Sequence, residues 1–364
     1  MKRKFLAAFL SLGLLLNGCA WVGNNYVSVT PHQAKDTGTQ TDNLTAHKYI
    51  DLQNILSDLV ENGTESAVIY LPDYAADLVD NHMTLAIRHI TEVLPIGAYA
   101  IDHVDYELGT SAGQQAISVN IAYLHGRAEI RQIRQVADMD AAKSLIQKAL
   151  ADCSDSLIFY AEEFTDADLV QLVADYSAEH PDVVMEIPQL SVGLYPEKGE
   201  ARVVELKFTY QTSRDTLRTM QTQVKRVFAS AALYINQNDA PQQKFSQLYA
   251  FLTERFDYKY DTSITPSYSL LSHGVGDAKA FATVYAAMCR SAGLDCRVVS
   301  GTRSGEAWYW NLVALEDGFF HVDLLESQKA GQLSYLLDEQ MTGYVWDYSA
   351  HPAAVALEVP KTTE

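Results

Sequence analysis

The sequence predicts an α+β protein in which an N-terminal region of alternating helices and strands precedes a C-terminal domain built from a helix and an antiparallel sheet. Hydrophobic residues make up 48% of the 364 residues and charged residues 20%, a composition typical of globular proteins. Helical and strand periodicities alternate through residues 48–237. Beyond residue 238, a helical stripe is followed by strands that are joined by an Asp-Gly turn.

The first 19 residues are typical of a signal peptide that ends in a lipidated cysteine. Basic residues precede an apolar stretch, Phe5 to Leu16, that is too short to span a membrane comfortably as a mature helix. The tetrapeptide Leu16-Asn17-Gly18-Cys19 resembles the bacterial lipobox, in which cleavage before the cysteine leaves it lipidated. We therefore expect Cys19 to anchor the mature chain to a membrane, outside the cytoplasm. The alternatives are an ordinary signal peptide with a chance cysteine and a buried helix.

Charge and cysteine usage limit the classes of partner and cofactor. The formal net charge is -19, and no block of Lys and Arg beyond the first residues could bind a phosphate backbone, so we expect no nucleic-acid partner. The ten histidines are scattered without metal-ligand spacing, and we predict neither a metal nor another cofactor. Cys289 and Cys296 could form a disulfide or remain two buried free thiols, whereas Cys153 has no obvious partner.

The N-terminal region shows a pattern that favours an internal repeat. Residues 20–47 are polar and lack apolar periodicity, which is typical of a flexible linker. Residues 66–150 and 155–237 then follow the same order of predicted elements, β-α-β-β-α, with an offset of 89 residues from Ala67 to Ser156. Chance recurrence of an ordinary α+β order is the alternative. No catalytic spacing occurs in this region, which we interpret as a scaffold or interaction domain.

The C-terminal domain is predicted to span residues 238–350, with a tail at 351–364. A helix starts near Asp277, carries one apolar stripe and ends at Gly293. Three strands follow, with sequences CRVVSG, WYWNLVAL and FFHVDLL. A helix start that faces a small antiparallel sheet can bring three separated residues together.

Residues 240–348 resemble the transglutaminase-like superfamily, whose members share a papain-like fold. The resemblance rests on motifs that occur in the family's order: Gly274-Val275-Gly276, MCRSAGLDCRVVSG, Trp310-Asn311, DGFFHVD with Asp323, and YLLDEQMTGYVWDY. It implies a helix that carries a nucleophilic cysteine at its start and two strands that carry a histidine and an acid. Such a triad performs acyl transfer or peptide hydrolysis.

The departures from the family pattern fall on the catalytic positions. The alignment places Ala278 where the family has its cysteine and Trp308 where it has its histidine, and only Asp323 is retained. Alanine has no nucleophile, and an indole has a donor N–H but no basic nitrogen. We therefore predict a non-catalytic domain that binds a protein or a cell-wall polymer. A relocated nucleophile, with Ser272 or His321 in the site, is the alternative, and a purely architectural domain is a third hypothesis.

Two further expectations concern the remains of the site. Trp308, Trp310 and Leu312 are two residues apart and therefore lie on the same face of their strand. We expect Trp308 on this face to pack over Ala278. We also expect its indole N–H to donate to Asp323. Four residues are candidates for the rim of a ligand site in the ancestral groove: Asp277, Lys279, Glu306 and Tyr309. The simpler interpretation makes Asp277 a helix N-cap and places Glu306 in a turn.

Overall fold

The computed structural model describes residues 30–31, 44–165, 168–259 and 266–355. The predicted signal peptide with Cys19, most of the predicted linker and most of the predicted tail lie outside these residues. The described helices and strands form a mixed α+β structure, as the sequence predicted. Three sheets of three or more strands occur within the described residues, and each packs against helices of its own unit or of a neighbouring one.

The first unit is a four-stranded sheet with α-helices packed on one face. Its core contains Leu56 from the first helix and Met83 from the second, against Ile117, Val119 and Ile121 of a central strand. The elements up to residue 151 are β1 (Thr30–Pro31), β2 (Leu44–Thr45), α1 (Tyr49–Glu61), β3 (Ser66–Tyr70), α2 (Val79–Glu92), α3 (Pro95–Ala100), β4 (Ile101–Ser111), β5 (Gln114–Tyr123), α4 (Arg127–Ile130), β6 (Arg134–Val136) and α5 (Met139–Ala151). The strand order in this sheet is β2-β3-β5-β4.

The second unit is a five-stranded sheet whose helices include α5 from the preceding segment. Its strand order is β1-β6-β7-β9-β8, with β7 antiparallel to β9. Its further elements are β7 (Ser156–Ala161), α6 (Leu169–Glu179), β8 (Gln189–Tyr195), β9 (Arg202–Thr209) and α7 (Arg214–Tyr234). The pairings β3-β5-β4 and β7-β9-β8 have the same topology in the two halves of the predicted repeat, although a shared origin remains a prediction.

The strand β9 is buried more completely than its alternating sequence indicates. Such alternation is typical of a half-buried strand, yet Val203 and Glu205 on the second face are buried as well. The reason is that the first unit covers this face: Val203 lies in its core, and Tyr99 of α3 packs edge-on against Tyr195 at 5.4 Å. The helix α3 comes directly before β4, and Pro95 at its first position favours a helix.

The C-terminal unit places one helix at the centre of the domain. Its elements are α8 (Pro241–Thr253), β10 (Asp257–Tyr258), α9 (Pro266–His273), β11 (Val275–Gly276), α10 (Ala278–Ser291), β12 (Cys296–Arg303), β13 (Glu306–Leu315), β14 (Gly318–Val322), α11 (Leu324–Ala330) and β15 (Tyr344–Trp346). The main sheet has the order β14-β13-β12-β15. The predicted hairpin is present, with Leu315 paired to Gly318 across the turn.

The central helix α10 is buried on nearly all sides, not on one stripe as its apolar pattern predicted. Of the residues from Ala278 to Cys289, only Lys279 is exposed. Helices from both sides surround it, and small alanines let these neighbours approach closely. Leu217, Met220 and Val224 of α7 belong to the same core, so this core includes residues on both sides of the predicted boundary at residue 238.

Two absences and one assignment of free thiols concern the described residues. No helix among them combines the length and apolar character needed to cross a membrane. They contain no group of three His, Cys, Asp or Glu side chains that could hold a metal ion. Cys153, Cys289 and Cys296 are all buried free thiols, so the disulfide alternative between Cys289 and Cys296 is not the one adopted.

Candidate functional site

The carboxylate of Asp323 is the centre of the candidate site. Strand β14 ends at Val322, one residue before it, and Asp323 serves as the N-cap of α11, where the sequence had predicted a continuing strand. Its Oδ1 accepts the backbone N–H groups of Leu325 at 3.0 Å and Glu326 at 3.1 Å. Because these bonds close the first turn of α11, the position of the carboxylate is set by the backbone.

The second carboxylate oxygen accepts two side-chain donors. The indole Nε1 of Trp308 donates to Oδ2 of Asp323 at 2.7 Å, which confirms the predicted hydrogen bond. The Tyr344 hydroxyl donates to the same oxygen, also at 2.7 Å. With only 2% of its surface exposed, Asp323 has four hydrogen-bond donors in place of water. Burial raises the pKa of Tyr344, and the adjacent Asp323 carboxylate raises it further.

Trp308 lies at the border between two hydrophobic clusters. It packs against the large C-terminal core that contains Ala278, and also against a smaller cluster on the other face of the sheet. The ring of Tyr258 meets its indole edge-on at 6.2 Å. Ala278 itself is 7% exposed, in the first turn of α10. The position that the sequence comparison aligned with the family's cysteine is therefore a buried methyl group beside an apolar core.

The strand that carries Trp308 presents a different face to α10 from the one we expected. Trp310 and Leu312 lie in the smaller cluster with Trp346, on the side of the sheet away from α10. Asn311 faces the helix, and its Nδ2 donates to the carbonyl of Ala282 at 2.8 Å. The expectation that the face shared by Trp308, Trp310 and Leu312 packs against the helix was wrong, because Asn311 and Val313 provide the face that meets it. Trp308 reaches the core from the end of its strand.

Sequence reasoning missed Arg303, which covers the site from the end of β12. Its guanidinium lies 5.2 Å from the centre of the Trp308 ring and 5.4 Å from that of Tyr344. It also forms an ion pair with Glu326 at 2.5 Å. Burial alone would raise the pKa of Glu326, but hydrogen bonds from Lys329 and Arg303 lower it. Arg303 is the last residue of β12 and is followed by a Ser-Gly turn, a sequence pattern that does not indicate stacking on aromatic rings.

Two of the four candidate rim residues, Lys279 and Tyr309, contact each other. Lys279 Nζ lies 5.4 Å from the centre of the Tyr309 ring, a cation-π contact between α10 and β13. The Asp277 carboxylate accepts the Ala280 N–H at 2.8 Å, so it is the N-cap of α10 that the simpler interpretation expected. Glu306 is exposed at the first position of β13, and no ion pair or hydrogen bond joins it to the other three.

The residues considered for a relocated nucleophile lie apart from one another. Ser272 is exposed near the end of α9, and its nearest polar contact is Gln223 Oε1 at 3.5 Å. Cys289 is fully buried, and burial raises the pKa of its thiol well above the ordinary value. A thiolate is the reactive form of cysteine, so this sulfur is poorly suited to nucleophilic attack.

His321 belongs to a separate buried network on the far face of the sheet. The Trp310 indole donates to its Nδ1 at 2.9 Å, so Nε2 carries the proton and donates to Asp338 Oδ1 at 2.8 Å. Trp346 packs edge-on against the imidazole at 4.8 Å. Burial lowers the pKa of His321, against the opposing effect of Asp338. A neutral imidazole held between two partners has no free nitrogen to act as a base.

This helix start, strand hairpin and buried acid define a domain of the papain-like class. Residues 229–324 match the model of the transglutaminase-like superfamily, so the chain contains a transglutaminase-like domain, as the sequence predicted. No curated protein matches the chain.

Two solved structures are similar to the chain at low identity. A crystal structure of a TGase is 10% identical, with 52% of this chain and 58% of that chain covered and a TM-score of 0.26. A crystal structure of a candidate protease from Parabacteroides distasonis is 8% identical, with 70% of this chain and 39% of that chain covered and a TM-score of 0.23. The chain thus spans less than two thirds of either relative.

The buried His321 network predicts a loss of stability in mild acid. Below the ordinary histidine pKa of about 6.5, the unfolded chain binds a proton that the native His321 does not. The contribution of this residue is therefore present above about pH 6.5 and is lost as the pH falls through the lower native pKa. Replacing His321→Gln should flatten the dependence of the unfolding midpoint on pH between 7 and 5, measured by circular dichroism.

A matched control for this prediction is His273→Gln, because His273 is exposed. The control should keep the slope of the wild-type protein. Part of the slope should also survive in His321→Gln, because burial lowers the pKa of the neighbouring His351 as well. An unchanged slope in His321→Gln would contradict the assignment.

Proposed function

We propose that the protein is a membrane-anchored lipoprotein outside the cytoplasm, and that its transglutaminase-like domain is a non-catalytic binding or scaffold module for a protein or a cell-envelope polymer. The observation that carries this proposal is the hydrogen bond from the Trp308 indole to Asp323. The acid that would orient a catalytic histidine holds a tryptophan instead.

The chemistry of the three positions supports the absence of catalysis. Acyl transfer in this class of fold needs a thiolate that attacks the acyl carbon and a base that moves its proton. Ala278 supplies a methyl group, and the Trp308 nitrogen is bonded to hydrogen and has no free lone pair. Its N–H is moreover directed to Asp323 Oδ2, so it is unavailable to a substrate. Neither the nucleophilic nor the proton-transfer step can take place at these atoms.

The surroundings of Trp308 support a structural use of the former reaction centre. Tyr258 covers one edge of the indole and Arg303 stacks near it, with Tyr344 completing the contact to Asp323. These contacts bring β10, β12, β13 and β15 together at one point. Aromatic and cation-π contacts of this kind contribute about 0.5–2 kcal/mol each. A side chain used in this way stabilises the domain, and we expect ligands to bind elsewhere on its surface.

The competing function is an acyl-transfer or peptidase-type enzyme with a relocated nucleophile. The structure separates the residues that such an enzyme would use. Ser272 lies on α9, Cys289 on α10 and His321 on β14, and none of the three contacts another. His321 is fully buried behind the sheet, on the side opposite α10. General acid-base catalysis requires hydrogen-bond reach between base and nucleophile, and this geometry does not provide it.

The full chain should release no amine or peptide from glutamine-containing peptides or from peptidoglycan fragments above the uncatalysed rate. The assay is ammonia release and mass spectrometry of the products. The matched variants are Ser272→Ala and His321→Gln, which should leave the background signal unchanged. Turnover by the wild-type chain that either variant abolishes would overturn the proposal in favour of the enzyme.

The anchoring part of the proposal predicts that Cys19 carries the lipid. In a bacterial host, the wild-type chain should fractionate with membranes and incorporate a labelled fatty acid, whereas Cys19→Ala should do neither. The control is Cys153→Ala, because Cys153 is a buried thiol that lipid cannot reach. Fatty-acid labelling that persists in Cys19→Ala would contradict the assignment of the anchor.

A further inference from the structure

A cavity of about 710 Å³ opens between the start of α8 and the segment that follows α11. Its volume falls within the range of about 300–1,000 Å³ that is usual for small-molecule sites. Glutamine amides dominate its lining, and neither lysine nor arginine is among the lining residues. The cavity lies away from the site around Asp323, because α8 packs beside the middle of α10, where the Tyr285 hydroxyl donates to the Phe245 carbonyl at 2.9 Å.

One wall of the cavity is a hydrogen-bonded network with fixed geometry. Gln247 Nε2 donates to Asp239 Oδ2 at 2.6 Å, and its Oε1 accepts the backbone N–H of Asn236 at 3.0 Å. Asn236 Nδ2 in turn donates to Asp239 Oδ1 at 2.9 Å. Each member of the network holds another in place, so the carboxylate of Asp239 is presented in one orientation. A carboxylate oxygen has further acceptor capacity and can still take a hydrogen bond from a ligand.

The floor of the cavity is apolar and is held rigidly. Tyr335 donates its hydroxyl to the Gln242 carbonyl at 3.1 Å, and its ring meets Phe320 edge-on at 6.2 Å. Leu333 lies beside it and is partly buried. Burial raises the pKa of Tyr335, which therefore stays a neutral phenol at physiological pH. An aromatic ring and a leucine together form a surface suited to the C–H face of a ligand.

The mouth of the cavity carries amides that are free to bind. Gln242 and Gln332 are exposed, and within the described residues their side-chain amides make no hydrogen bond. Each amide offers two N–H donors and one carbonyl acceptor. A fixed carboxylate, free amides and an apolar floor therefore converge on one space.

From this arrangement we infer that the cavity binds a neutral oligosaccharide. Each sugar hydroxyl both donates and accepts, which matches amides that do the same, and the C–H face of a pyranose matches the tyrosine and leucine floor. An anionic ligand would lack a cationic partner among the lining residues and would meet the Asp239 carboxylate. Saccharide binding at the cell surface rests on the proposed binding function. The cavity itself shares no lining residue with the Asp323 site.

The test is titration of the purified full chain with tetramers of glucose and of N-acetylglucosamine, followed by saturation-transfer NMR and calorimetry. The detergent must be non-glycosidic, because a sugar headgroup would compete. The wild-type chain should bind at least one tetramer, with sugar C–H protons saturated from the protein. The double variant Gln242→Ala/Gln332→Ala should weaken binding at least tenfold, because both residues are exposed and their loss leaves the core intact.

The matched control is Gln328→Ala, which removes an exposed amide four residues before Gln332 and outside the cavity lining. It should bind like the wild-type chain, and so should Trp308→Phe. Absence of binding by the wild-type chain at millimolar sugar, or equal binding by the double variant, would overturn the inference. Loss of binding in Trp308→Phe would place the ligand at the Asp323 site instead. Acyl-transfer activity with saccharide binding intact would refute only the non-catalytic proposal.

Discussion

The buried carboxylate of Asp323 is the interaction on which the C-terminal domain depends. A carboxylate removed from water is costly unless donors replace its hydration, and a single missing partner leaves that cost uncompensated. Its donors come from the first turn of α11, from Trp308 on β13 and from Tyr344 on β15. The acid thus fixes three elements at once. These hydrogen bonds give Asp323 a structural role of its own.

The positions of strands β12, β13 and β14 could be predicted from the sequence, whereas the face that β13 presents to α10 could not. The Asp-Gly turn predicted the hairpin of β13 and β14. The family resemblance, which aligns Trp308 with a histidine that bonds the acid, together with the donor N–H of the indole, predicted the bond from Trp308 to Asp323. Alternation identified which residues share a face but not which face meets the helix, and Asn311 took the place assigned to Trp310. Arg303 escaped notice because its partners Trp308 and Tyr344 are separated from it along the chain and meet it only in the folded sheet.

The units are connected by helices that leave one sheet and pack into the next core. Leu145 and Ile146 of α5 lie in the core of the second sheet, and Leu217 and Met220 of α7 lie in the C-terminal core. Sequence periodicity showed each helix and its apolar face but could not say which sheet would receive it. The consequence is that the transglutaminase-like domain shares its core with the helix that precedes it.

The stabilising role of the hydrogen bond between Trp308 and Asp323 is tested most directly by a double-mutant cycle between Trp308→Phe and Asp323→Asn. The free energies of unfolding are measured with urea on the full chain. If the remains of the triad now serve as a structural hydrogen bond, the two changes should be coupled by about 1–2 kcal/mol, because each single variant leaves the other partner unsatisfied. Free energies that add within about 0.3 kcal/mol would contradict the account.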